Sequence, residues 1–289
     1  MWETIGHILE HAIVDSLWLL PFLFLTYLCM ELVEHRAGDK VKRVITRTGR
    51  AGPLFGGLVG LIPQCGFSAA CAGFFAGGIV TPGTLLAVFL ATSDEMLPIF
   101  LGAKISPIKI VTVLIIKLAV AVGAGFIFDA ITAKKRGDME ISELCDEENC
   151  HCGERGVWLS SLIHTAQIFA FVLVINLVLT AALELAGEDA IAAIVGKIPL
   201  LDVFVCAIVG LIPNCASSVL IATLWTKGII SGGAMIGGLL TGAGAGLLVL
   251  FRTNKRIKEN LVLAGVLLGV GIIVGIMFDL TGLAALLGL

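Results

Sequence analysis

Val59-Gly60-Leu61-Ile62-Pro63-Gln64-Cys65 and Val209-Gly210-Leu211-Ile212-Pro213-Asn214-Cys215 are the same phrase written twice, 150 residues apart, with Gln64 exchanged for Asn214. The same offset carries Glu34 onto Glu184 and Ser68 onto Ser218. It also carries Gly125-Phe126-Ile127-Phe128-Asp129 onto Gly275-Ile276-Met277-Phe278-Asp279. A register held without a gap over most of that length reads as two copies of one unit.

The solvent of both copies is lipid. Of 289 residues, 58% are hydrophobic and 14% charged, with a mean hydropathy of +1.04, whereas a soluble domain carries roughly 25% charged residues. A spanning helix needs ~20 apolar residues, so the chain has room for about ten and none for a sizeable soluble domain. A soluble enzyme is excluded as the main business. The 35 glycines fit helices that approach closely in lipid. A net charge of −3 gives no basic footprint for nucleic acid. The eight cysteines are too scattered for a disulfide scaffold. The N-terminus has acidic residues and no basic cluster before its apolar stretch, so it does not read as a cleaved signal peptide.

Apolar runs predict spans over 16–34, 53–63, 68–80, 83–101, 107–129, 157–184, 201–213, 217–230, 233–251 and 260–280. The second, third, seventh and eighth are short for a ~30 Å hydrocarbon core, and each short pair is joined by one of the two proline phrases. The expected fold is therefore an all-α polytopic membrane protein of about ten segments. Residues 1–132 form the first five-segment repeat, 133–156 a polar loop and 157–289 the second repeat. An odd number of segments per copy forces the second to enter from the opposite face, which is a 5+5 inverted repeat with broken or re-entrant helix pairs. Lysine and arginine distribute 14 to one side and 4 to the other, with Lys117 inside a span. The rich side is then cytoplasmic and both termini extracytoplasmic.

Broken helices at matching places in inverted halves point to a transport site near the bilayer midplane. Proline at 63 and 213 removes a backbone donor, so a carbonyl one turn earlier is expected to face a cation or water. Gln64 and Asn214 add amide oxygens, Cys65 and Cys215 sulfur, and Ser68, Ser217 and Ser218 hydroxyls; the alternative is that both phrases shape packed kinks. In Ala91-Thr92-Ser93-Asp94-Glu95-Met96 the adjacent carboxylates cost several kcal/mol at membrane depth unless paired, hydrated or metal-bound. They are thus the principal ion-binding candidates, with Ser93 beside them, unless this stretch is a wet loop. The second copy has Gly244 and Ala245 at the matching places, so the symmetric frame holds one asymmetric site.

Lys117 is the expected charge partner, unless it snorkels to a boundary. His164, Gln167 and Asn176 extend a polar path along the sixth segment, although His164 alone also suits an interfacial hydrogen bond. Asp129 and Asp279 close the two repeats near opposite faces. A carboxylate is unfavourable at the negative end of a helix dipole, so each needs a fixed cation or donor. The loop Cys145-Asp146-Glu147-Glu148-Asn149-Cys150-His151-Cys152 offers soft and borderline ligands for a cytoplasmic metal site, or is a solvated acidic linker. No phosphate-binding loop is present, so transport would run on an ion or substrate gradient, with protons a candidate coupling ion.

The paired Leu-Ile-Pro-Gln-Cys-Gly-Phe-Ser and Leu-Ile-Pro-Asn-Cys-Ala-Ser-Ser strings, the Ala-Thr-Ser-Asp-Glu-Met stretch and the ten-segment layout resemble the ten-helix heavy-metal exporters. Members of that family are labelled arsenic efflux proteins or manganese transporters. The resemblance covers nearly the whole chain and implies an exporter of a metal or metalloid in a bacterial plasma membrane, with no resident cofactor. Asp94 and Glu95 suit a hard or borderline divalent ion such as Mn²⁺. Trivalent arsenic would seek Cys65, Cys215 and Cys71. The carboxylate pair favours the divalent cation, since a neutral arsenical needs none. An ion channel, or an intramembrane enzyme pairing Asp129 with Asp279, are the remaining classes.

Overall fold

A computed structural model describes residues 51–63, 65–93, 96–132, 158, 161–163, 165–175, 177–178 and 200–286, with 20, 21, 24, 25 and 28. Among these every regular element is helical. In chain order they are α1 (Gly52–Gly60), α2 (Cys65–Ala76), α3 (Pro82–Ala91), α4 (Met96–Gly102), α5 (Pro107–Thr132), α6 (Leu201–Leu211), α7 (Cys215–Thr226), α8 (Gly232–Thr241), α9 (Ala245–Thr253), α10 (Ile257–Leu280) and α11 (Leu283–Leu286). Residues 161–163 and 165–175 are also helical.

Adding 150 to the bounds of α2 gives those of α7, and the same shift turns α3 into α8. The start of α5 falls likewise on the start of α10. Packing follows the same rule: α3 lies against α1 and α5, and α8 against α6 and α10. The two groups join where α3 meets α8, where α2 crosses α9 and where α4 crosses α7.

Helices α3 and α8 form the centre. Every residue of α3 from Gly83 to Ala91, and every residue of α8, is buried. The long helices α5 and α10 cover them with one face each. On α5 the inward stripe includes Ile110, Val113, Lys117, Ala121 and Gly125. On α10 it includes Asn260, Leu263, Leu267, Gly271 and Gly275, each 150 residues on. This spacing of three and four is one side of an α-helix. The opposite side of α5 exposes Ile108, Ile115, Ile127 and Ile131, and that of α10 Leu261, Ile273 and Leu280. Apolar faces of this extent are what a bilayer covers. Four stretches are long and apolar enough to cross a membrane: Pro82–Gly102, Pro107–Thr132, Gly232–Thr253 and Ile257–Leu280.

Two of these four depart from the sequence expectation of continuous segments over 83–101 and 233–251. Each is a pair of short helices with an interruption inside it, after Ala91 and after Thr241. Pro98, in the first turn of α4, cannot bond back four residues and so opposes a continuous helix through the first break, whereas the second has no proline near it. In the second, Gly244 has φ 55° and ψ −149°, a backbone region that is essentially glycine's alone. In the first, Thr92 leaves the helix at φ −50° and ψ 126°, and its hydroxyl turns back to Val88 O at 2.8 Å.

Candidate functional site

The outer ends of α3 and α8 are fastened by identical clamps. Thr81 caps α3, its Oγ1 accepting from Thr84 N–H at 3.0 Å while donating to Asp129 Oδ2 at 2.6 Å. The second oxygen of Asp129 accepts from Gly83 N–H at 2.8 Å. In the other group Ser231 caps α8, accepting from Ala234 N–H at 2.9 Å and donating to Asp279 Oδ2 at 2.6 Å. Gly233 N–H reaches Asp279 Oδ1 at 2.9 Å. The donor partners expected for the two aspartates are therefore the starts of neighbouring helices, where a carboxylate is favourable to the dipole. Glycine is needed at 83 because an added Cβ would lie 2.2 Å from Gly125 O and 2.5 Å from Asp129 Cγ. Asp129 is engaged with the start of α3 and Asp279 with the start of α8.

The inner ends of the same helices meet at Lys117. This side chain rises from the inward stripe of α5 and is 1% exposed, so it does not snorkel. Its ammonium donates to Thr92 O, just past α3, and to Leu239 O in the last turn of α8 at 2.7 Å. The last carbonyls of a helix have no partner within it and carry the negative end of its dipole. A terminal nitrogen carrying several N–H donors satisfies both at once. Lysine can be buried here because its polar end is hydrogen-bonded to carbonyls of two helices. The position 150 residues later is Leu267, fully buried, so this arrangement occurs once among the described residues.

Hydroxyls collect around the break after α8. A Cβ built on Gly246 would stand 2.7 Å from Ser68 Cβ and 2.8 Å from Phe89 Cε1, which places α2 directly on the start of α9. A Cβ on Gly242 would stand 3.0 Å from Ser218 Oγ. Ser68 and Ser218, one from each copy of the repeated phrase, thus flank the same interruption. Thr241 Oγ1 donates to Ala207 O and Gly238 O, both at 2.9 Å. Ser93 is buried, its hydroxyl bound to Ala91 O at 2.8 Å. On the opposite flank α4 meets α7 through bulk, with the rings of Phe100 and Trp225 5.0 Å apart at 49°.

The proline phrases themselves differ from expectation. The carbonyls one turn before each proline are occupied: Val59 O accepts from Ile62 N–H and Val209 O from Ile212 N–H, each at 3.1 Å. A tightened last turn replaces the bond that proline removes. Asn214 is the cap of α7, its Oδ1 accepting from Ala216 N–H at 2.9 Å. Ser217 Oγ donates to Asn214 O at 2.7 Å. These residues hold the bend, and Asn214, Cys215 and Ser217 are buried within it. Cys71 lies apart, in an apolar cleft of about 450 Å³ between α1, α2 and α3 with Phe55, Phe67 and Phe74.

Gln64, Asp94, Glu95, His164, Asn176 and the loop residues Cys145, Cys150, His151 and Cys152 lie outside the described residues, as does the side chain of Cys65. Among the described residues no three of His, Cys, Asp and Glu gather into a metal-sized group. Gln167 is described, on an exposed position of its helix. What sequence reasoning missed is the pair of carbonyl ends at Thr92 and Leu239. Their signal was present as Thr-Ser-Asp-Glu in one segment and a run of alternating glycines in the other, both unusual within an apolar span.

Set against protein-family models, curated proteins and solved structures, the chain matches none of them.

Proposed function

We propose that this protein is a secondary transporter, not an enzyme, that exports a metal cation through a site at the paired breaks of α3 and α8. The observation that carries this reading is the convergence of two interrupted helices on one buried ammonium, with Ser68 and Ser218 beside the second break. Discontinuous helices ending at mid-membrane are the usual way to bare carbonyl oxygens to an ion without exposing them to lipid. Asp94 and Glu95 follow Ser93 in sequence and supply the negative charge that a divalent ion such as Mn²⁺ requires. Ten spans in a 5+5 inverted repeat, lysine- and arginine-rich loops in the cytoplasm, and a plasma-membrane location complete the proposal. Helix bounds and buried stripes that recur at the repeat offset support it. Coupling to protons would supply the driving force. The family resemblance adds heavy metals as the cargo class.

The test is metal flux in vesicles reconstituted with the full chain. Asp94→Asn and Glu95→Gln together should lower Mn²⁺ flux at least ~100-fold, the loss of about 2.7 kcal/mol of ion binding, while Cys65→Ser stays near wild type. Intact Mn²⁺ flux in the carboxylate variants, with arsenite flux abolished by Cys65→Ser or Cys215→Ser, would replace this reading with an arsenical permease. Single-channel currents would replace it with a channel.

A further inference from the structure

The contact between Lys117 and the two helix ends has the form of an ion site with its ion attached. Thr92 O and Leu239 O belong to different helices, and each sits at a C-terminal end where the dipole is negative. Thr92 is held by its N–H, bonded to Val88 O and Phe89 O, and by its hydroxyl on Val88 O, and Leu239 lies within α8. Half-helix C-terminal ends of this kind coordinate monovalent cations in broken-helix membrane proteins. An ammonium, with three N–H donors on one nitrogen, is the organic counterpart of such an ion. Its stem reaches the spot from α5 without displacing any other element, because Lys117 occupies the place that the fully buried Leu267 takes in α10.

We infer that the space between Thr92 O and Leu239 O is a binding site for a cation of the primary-ammonium type, filled by the chain's own Lys117 and open to a small alkylammonium once that side chain is cut back. In terms of the proposed transport, on which this last step alone rests, cargo coordinated by these carbonyls must first displace the lysine, so loading and release of the tethered cation are one event.

The experiment is a thermal-shift series on the full-length protein in detergent. Lys117→Ala removes three methylenes and the amino group, the outline of n-propylammonium. This variant should melt below wild type and regain most of the loss with n-propylammonium. Methylammonium, which lacks the stem, should restore less, and tetramethylammonium, which has the charge but no N–H, nothing. Lys117→Met fills the stem space and should not respond to any amine. If Lys117→Ala cannot be recovered without amine, its recovery when n-propylammonium is present from lysis onward gives the same support. Failure to recover it either way, no amine response, an equal response to tetramethylammonium, or an equal response by Lys117→Met overturns the inference. An amine-responsive Lys117→Ala in a protein whose wild type carries no metal would sink the transport reading and leave the cation site standing. Metal flux in wild type with an amine-blind Lys117→Ala does the reverse.

Discussion

The break after α3 and the break after α8 occupy matching places in the chain and are built in different ways. The second is a backbone device: Gly244 takes a conformation closed to other residues, and Gly242 and Gly246 let Ser218 and Ser68 come into contact range. The first is a side-chain device: Thr92 and Ser93 fold their hydroxyls onto Val88 O and Ala91 O, and Lys117 takes Thr92 O. At their outer ends the same two helices are held alike, by Asp129 and Asp279. Duplication thus preserved the frame, and divergence placed a lysine contact at one break and close-packed glycines at the other.

The comparison can be broken most forcefully at its symmetric part. Asp129→Ala and Asp279→Ala should each lower stability by about 3 kcal/mol, because each leaves a glycine N–H and a hydroxyl without their charged acceptor. Asp129→Ala should cost slightly less, since Thr84 Oγ1 lies 2.6 Å from Thr81 Oγ1 and can accept from the hydroxyl that Asp129 leaves behind. Melting in detergent measures both, and a loss confined to one variant would show that the clamps are not equivalent.

The asymmetric part comes next. Gly244→Ala should cost about 2 kcal/mol through its forbidden backbone, and Ser93→Ala in the first break about 1 kcal/mol through one lost hydrogen bond. Equal losses would mean that the two breaks share a mechanism after all. A finer measurement compares glycines. Gly246→Ala should destabilise by about 1 kcal/mol or more as its methyl meets Ser68 and Phe89. Gly265→Ala on α10, where nothing lies within 4 Å of an added Cβ, should stabilise by roughly 0.5–1 kcal/mol through helix propensity. If both move in the same direction, close packing at the second break is not what glycine is there for.

Much of the frame was legible from residue spacing. The offset of 150 anticipated which helices would match, and the need of Asp129 and Asp279 for donors followed from the helix dipole alone. Lys117 stood out as the charged member of an apolar segment. Four residues from both Val113 and Ala121, it falls on the stripe that the fold turns inward. The proline phrases misled in one respect. Loss of a proline donor is visible in sequence, but its repair by Ile62 and Ile212 N–H is a matter of local geometry, which the letters do not carry. The breaks inside the fourth and ninth segments were hidden for a related reason: a window of apolar residues keeps its mean character when two or three central positions leave the helix.

The order of residues by itself settled that the chain lives in lipid, that it is helical, and that a unit is written twice, because these depend on composition and period alone. Which of the duplicated polar groups meet was decided only in three dimensions. Lys117 lies 122 residues from Leu239, and Ser68 178 residues from Gly246; no local preference links such positions. They are joined because small residues let α2, α5, α8 and α9 close on one another, and because a buried cation settles where two helices end.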